Sequence, residues 1–113
     1  MNEDILKDKV SLITGGASGI GKEIALKFAQ NGSDIIIFDL DEKRCPEVIQ
    51  EIETQYNVKG IFISCDISDY EAVKKSCETA VKKFCIIDNL VFAAGYNSKM
   101  EIERIDIDEW KKA

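Results

Sequence analysis

The residues best suited to chemistry lie in one run, Thr14-Gly15-Gly16-Ala17-Ser18-Gly19-Ile20-Gly21. Their chemistry is binding, not bond-making. Small residues let a backbone approach a pyrophosphate closely, and a helix N-terminus supplies free N–H groups and a partial positive charge. An apolar run, Val10 to Thr14, leads into the turn, and a helical stripe leads out of it. A glycine-rich turn alone can be a tight connection with no ligand, so it is the strand-turn-helix context that points to a dinucleotide. Ile20 is expected to face the core and pin the helix to the sheet. A second reading fits residues 16–22 to G-x-x-x-x-G-K, a nucleoside triphosphate loop, with residues 35–39 as the strand and aspartate that hold magnesium. Glu23 counts against it, because that loop needs a Ser or Thr hydroxyl on the metal at this position.

Two aspartates stand where further apolar runs stop. Asp39 is placed to accept hydrogen bonds from the hydroxyls of an adenosine ribose. A 2′-phosphate would meet like charge there. Leu40 follows, and the turn carries Ser18 and no arginine, so NAD is expected over NADP, although Lys43 and Arg44 are near. The structural alternative for Asp39 is a helix cap, a role Asp41 can fill instead. Asp66 can accept from an adenine amino group, and Ile67 can offer a backbone N–H and an apolar wall. Capping is the alternative there too, with Ser68 better placed for it.

Elements that hold these residues can be read from periodicity. Val10 to Thr14 and Asp34 to Asp39 are expected as the first two strands, residues 60–65 as a third and residues 90–93 as a fourth. Nearly continuous β-branched runs suit strands buried on both faces of a parallel sheet. Ile20, Ile24, Ala25, Phe28 and Ala29 make one helical stripe, stopped by Asn31-Gly32. Val48, Ile49, Ile52 and Tyr56 make a second, with Pro46 in its first turn and a stop near Asn57. Val73, Cys77, Ala80, Val81 and Phe84 make a third, opened by a capping box from Ser68 to Glu71. Asp106 and Glu109 repeat that spacing and suggest a fourth helix. The order β-α-β-α-β-α-β predicts an α/β fold, a Rossmann-type doubly wound parallel sheet, in which ligands bind beyond the carboxyl ends of the strands.

Composition sets the outer limits. The chain of 113 residues suits one domain, and 45% apolar and 32% charged residues are ordinary for a globular protein. The formal net charge of −6 argues against nucleic acid as partner. Apolar runs such as Ile35-Ile36-Ile37-Phe38 are far too short to span a membrane, and the acidic start has no signal-peptide character. A cytoplasmic protein is expected. Cys45, Cys65, Cys77 and Cys85 form no C-x-x-C pair and there is no histidine, so no metal site is expected and the thiols are read as reduced. The commonest general base is also missing.

Taken together these residues resemble the classical short-chain dehydrogenase/reductase family. Thr14 to Gly21 matches its T-G-x-x-x-G-I-G, with glycines at Gly15, Gly19 and Gly21. Asp39 matches the family's NAD-selecting aspartate, and Asp66 and Ile67 its adenine-contacting pair. The family's N-N-A-G is here Phe92-Ala93-Ala94-Gly95. Ala94 and Gly95 keep the tight turn beneath the cofactor, and Ala93 can contact the ribose through its backbone. Asp108-Glu109-Trp110 looks like the start of the family's next helix.

The resemblance implies an NAD-dependent oxidoreductase that interconverts an alcohol and a ketone by hydride transfer. The cofactor residues it implies are Gly15, Ser18, Gly19, Ile20, Gly21, Asp39, Asp66, Ile67, Ala93, Ala94 and Gly95. Family enzymes run to about 250 residues, within the usual range for one α/β domain. Their catalytic Asn, Ser, Tyr and Lys are therefore expected beyond Ala113, and none of Tyr56, Tyr70 and Tyr96 is taken as the catalytic tyrosine. Residues 1–113 are expected to be the NAD-binding, N-terminal part of a longer single-domain fold, truncated after about four strands and inactive alone. The longer parent is expected to take a small alcohol or ketone and to form a homo-oligomer. The alternative is a non-catalytic NAD-binding fragment from a truncated or split gene.

Overall fold

The computed structural model describes residues 5–93. Four strands and three helices alternate along the chain: β1 (Val10–Thr14), α1 (Gly19–Gln30), β2 (Asp34–Asp39), α2 (Arg44–Tyr56), β3 (Gly60–Ser64), α3 (Tyr70–Phe84) and β4 (Asn89–Phe92). All strand pairs are parallel, in the order β3-β2-β1-β4. The chain thus steps outward from β1 to β3, then returns to place β4 on the other side of β1. That reversal makes the switch point of the sheet the crevice between β1 and β4. The fold is the expected Rossmann-type α/β layer.

Alternation within the strands divides the core. Ile13, Ile35 and Ile37 face α1 and α2, where they meet Ala25, Ala29, Val48 and Ile52. Val10, Leu12, Ile36 and Phe38 face the other way, towards Ala80 and the partly buried Val73, Cys77 and Phe84 of α3. Helices therefore cover both faces, and the strands that profit are the inner ones. Every residue of β1 and the four central residues of β2 are buried. Burying Ile13, Ile35, Ile36, Ile37 and Phe38 contributes roughly 2 kcal/mol each. Strands β3 and β4 each pair on one side only and are half-buried to exposed, so the expected burial on both faces fails for them.

A polar tie fixes β4 to β1 at the amino end. Ser33 Oγ donates to backbone carbonyls, to Asp34 at 2.8 Å and Lys9 at 3.3 Å. The buried Ser11 hydroxyl must then donate to Ser33 Oγ, at 2.8 Å, and it accepts from Asn89 Nδ2 at 3.2 Å. Asp88 completes the tie: its Oδ2 accepts from Val10 N at 2.8 Å, and its own N–H donates to Val10 O at 2.8 Å. Each polar group buried here has a partner, as burial requires.

Helix boundaries follow local chemistry, with two corrections. Asn31 caps the end of α1, Asn57 closes α2 in the left-handed conformation at φ 57°, and Pro46 lies in the first turn of α2. The capping box at Ser68 does not form. Asp69 is the N-cap of α3, accepting from Glu71 N at 3.0 Å and Ala72 N at 3.3 Å, because its backbone is the last extended residue. The third strand ends at Ser64, one residue short of the expected Cys65, and the fourth is shifted one residue earlier than expected. The suggested helix at Asp106 lies outside the described residues.

Candidate functional site

Parallel strands end at one edge, so their final residues share it. Thr14 lies in register with Phe38 and Phe92, and Asp39 with Ser64. The glycine turn, Asp39, Asp66 and Ala93 are therefore all brought to the carboxyl edge of the sheet, where the sequence placed them. Ala94 and Gly95 lie outside the described residues.

The turn is shaped by what its glycines exclude. Gly15, at φ 72°, bends the chain out of β1 while its N–H still donates to Phe38 O at 2.8 Å. A Cβ on Gly21 would lie 2.0 Å from Gly15 O and 3.3 Å from Ala93 Cβ, so α1 packs directly on the turn and on the end of β4. Gly19 is the opposite case. Its φ of +59° favours glycine, yet a Cβ there would meet nothing within 4 Å. The backbone at Gly19 thus borders open space at the first turn of α1. Ser18 is the extended N-cap but its side chain makes no capping bond, and the first turn carries no acidic residue. The orphan N–H groups of a helix start are left for an external acceptor. This arrangement fits a pyrophosphate.

Ile20 was expected in the core and is 77% exposed. The α1 stripe begins one turn later, at Ile24; at the helix start it is Gly21 that faces the turn, where the backbone is too close to Gly15 O for any side chain. Ile20 stands on the open side of the helix start, so a contact with a bound ligand remains compatible with its position.

Asp39 links the second strand to the turn. Its Oδ2 accepts from Ala17 N at 3.2 Å and its Oδ1 from Asp41 N at 2.9 Å. A carboxylate has further lone pairs, which leaves capacity for ribose hydroxyls. Helix α2 is capped instead by Asp41, whose Oδ1 accepts from Lys43 N at 3.1 Å and Arg44 N at 2.8 Å. Those bonds, from Arg44 first, hold the Asp41 carboxyl below its ordinary range. Beneath both lies Cys45, fully buried, its thiol pushed up to about 12 by burial and then by the Asp39 and Asp41 carboxylates. It is a packing residue with no usable thiolate.

Asp66 is exposed and builds its own turn. Its Oδ1 accepts from Ser68 Oγ at 2.6 Å and Ser68 N at 3.0 Å, which lowers its pKa. Ser68 thus serves Asp66 and not the helix. Ile67 is half-buried against the α3 core. At the switch point, Ala93 N donates to Thr14 O at 3.2 Å and to Thr14 Oγ1 at 3.1 Å. Any ribose contact from Ala93 therefore falls to its carbonyl. Periodicity gave no sign of this role for Thr14, nor of Ala17 N as the tether of Asp39.

Tyr70 has Lys74 four residues on, which is the Y-x-x-x-K spacing of the family's catalytic pair. Tyr70 opens α3, beyond β3, and is 71% exposed, and Lys74 is exposed on the same helix. A groove of ≈ 430 Å³ between α2 and β3, lined by Pro46, Ile49, Glu53 and Phe62 among others, opens at the outer edge of the sheet and includes no residue of the glycine turn. Among the described residues no group of three or more His, Cys, Asp and Glu is placed to hold a metal, and no helix is long and apolar enough to cross a membrane.

Known proteins share this fold. A family profile described as short chain dehydrogenase matches residues 9–113. Trans-4-hydroxycyclohexanecarboxylate dehydrogenase of Sinomonas cyclohexanicum is 32% identical over 114 residues, 96% of this chain and 44% of that protein. L-sorbose reductase from Gluconobacter frateurii, solved with NADPH and L-sorbose, superposes with a TM-score of 0.86 at 29% identity, over 94% of this chain and 40% of that one. NAD+-bound xylitol dehydrogenase gives 0.84 at 26% identity, over 94% and 41%. The chain spans less than half the length of these relatives. With the glycine spacing, the switch-point crevice and this match along nearly its whole length, the chain belongs to the short-chain dehydrogenase family.

Proposed function

We propose that this chain is the adenosine- and pyrophosphate-binding part of an NAD-dependent oxidoreductase that interconverts an alcohol and a ketone. The observation that carries the reading is Gly19: a left-handed backbone that favours glycine, bordering open space at an uncapped helix start. The nicotinamide would supply hydride chemistry. The chain's own residues bind and orient. The first turn of α1 receives the pyrophosphate, Asp39 accepts from the ribose hydroxyls, and Asp66 and Ile67 border the adenine. Ala93, with Ala94 and Gly95 after it, floors the crevice.

The relatives' names support a nicotinamide cofactor but cover both forms, NADPH in one and NAD+ in another. The preference for NAD rests on Asp39, whose charge opposes a 2′-phosphate. The reading assigns the catalytic groups, the substrate contacts and the homo-oligomer to a longer protein of which this chain is the cofactor-binding part, inactive alone. Four unpaired cysteines accord with a reducing, cytoplasmic setting. The test is Asp39→Ala, with NAD and NADP affinities measured by calorimetry. The ratio favouring NAD should fall about tenfold, the scale of a hydrogen bond to a charged group. An unchanged ratio would remove Asp39 from cofactor selection.

A further inference from the structure

Asp39 Oδ1 accepts from Asp41 N, which sets Asp41 directly beyond it. Asp41 in turn holds the start of α2: its Oδ1 takes the N–H groups of Lys43 and Arg44, and its Oδ2 lies 3.6 Å from Arg44 Nε. Among the described residues this is the one ion pair found. Cys45, the next residue of α2, senses both carboxylates, so the helix start adjoins Asp39 as well as Asp41. Arg44 thus carries a guanidinium, a group suited to phosphates, at the start of the helix that follows Asp39, and Asp41 pairs with it.

We propose that Asp41 is a specificity-determining residue that holds Arg44 in an ion pair and so withholds its guanidinium from a 2′-phosphate. Asp41 acts through Arg44; it is a positioning residue and touches no reacting atom. The proposal rests on the reading of this site as an NAD site. In this account the arginine that follows Asp39 is present but engaged by Asp41.

Asparagine at position 41 keeps an N-cap acceptor for Lys43 N and Arg44 N and removes the charge. The experiment is a double-mutant cycle of Asp41→Asn and Arg44→Ala in the full chain, read as the ratio of NADP to NAD affinity by calorimetry. Asp41→Asn should raise that ratio by about fivefold, the ceiling for one exposed ion pair. In the Arg44→Ala background the same change should raise it by no more than about twofold. An equal rise in both backgrounds would show that Asp41 acts by its charge alone or through Lys43, and would overturn the proposal. No rise in either background overturns it as well. Failure of the unmutated chain to bind NAD or NADP would sink the site reading itself, and the proposal with it, which separates the two failures.

Discussion

At the scale of single residues, the site depends on where side chains are absent. Gly21 and Gly19 are both motif glycines, yet they fail differently. A methyl group at Gly21 would collide with Gly15 O, a backbone atom that cannot move without unpacking α1 from β1. Gly21→Ala should cost more than about 3 kcal/mol in urea unfolding. A methyl group at Gly19 meets nothing, so Gly19→Ala should cost only about 1–2 kcal/mol, the penalty of a left-handed backbone. It should nonetheless abolish dinucleotide binding, because the methyl projects into the space the pyrophosphate needs. If Gly19→Ala bound NAD as tightly as the unmutated chain, the cradle would be misplaced.

At the scale of elements, strand and helix order was legible because periods of two and of 3.6 residues separate cleanly in this chain. The inner strands were clearest, since β1 and β2 are buried on both faces and their β-branched runs have one explanation. What was not legible was competition among neighbouring polar groups. Ser68, Asp69 and Glu71 offer two cap frames. The structure selects Asp69, because Asp66 has already engaged the Ser68 hydroxyl. Ile20 was misjudged for a related reason: helical periodicity extends through it, but the glycine backbone at the turn decides where the packed stripe begins. Asp69→Ala should therefore cost about 1 kcal/mol of stability and Ser68→Ala less. The Ser68–Asp66 bond has a pH signature. Its effect lowers the Asp66 pKa in the folded state, so its stabilisation is fully present above the ordinary carboxylate value of about 3.9 and is lost as the pH falls through the lower folded value. The difference in unfolding free energy between Ser68→Ala and the unmutated chain should shrink on acidification below that point. A difference constant with pH would contradict the assignment.

At the scale of the whole molecule, the sheet among the described residues has two outer strands, β3 and β4, each paired on one side only. Among the described residues β4 pairs with β1 alone, and Leu90 and Phe92 are 64% and 66% exposed on the face they share with Leu12. An apolar, unpaired edge invites association. The 113-residue chain should self-associate in a concentration-dependent way by sedimentation, and Leu90→Lys with Phe92→Lys should reduce it; unchanged association would place the contact elsewhere. The central claim, that the turn from Gly15 to Gly21 holds the pyrophosphate of a nicotinamide dinucleotide, is tested most directly by calorimetric titration of the chain with NAD, NADP and ATP. NAD should bind with one site per chain and more tightly than either competitor. ATP binding more tightly than NAD would contradict the claim and favour the triphosphate loop from Gly16 to Lys22.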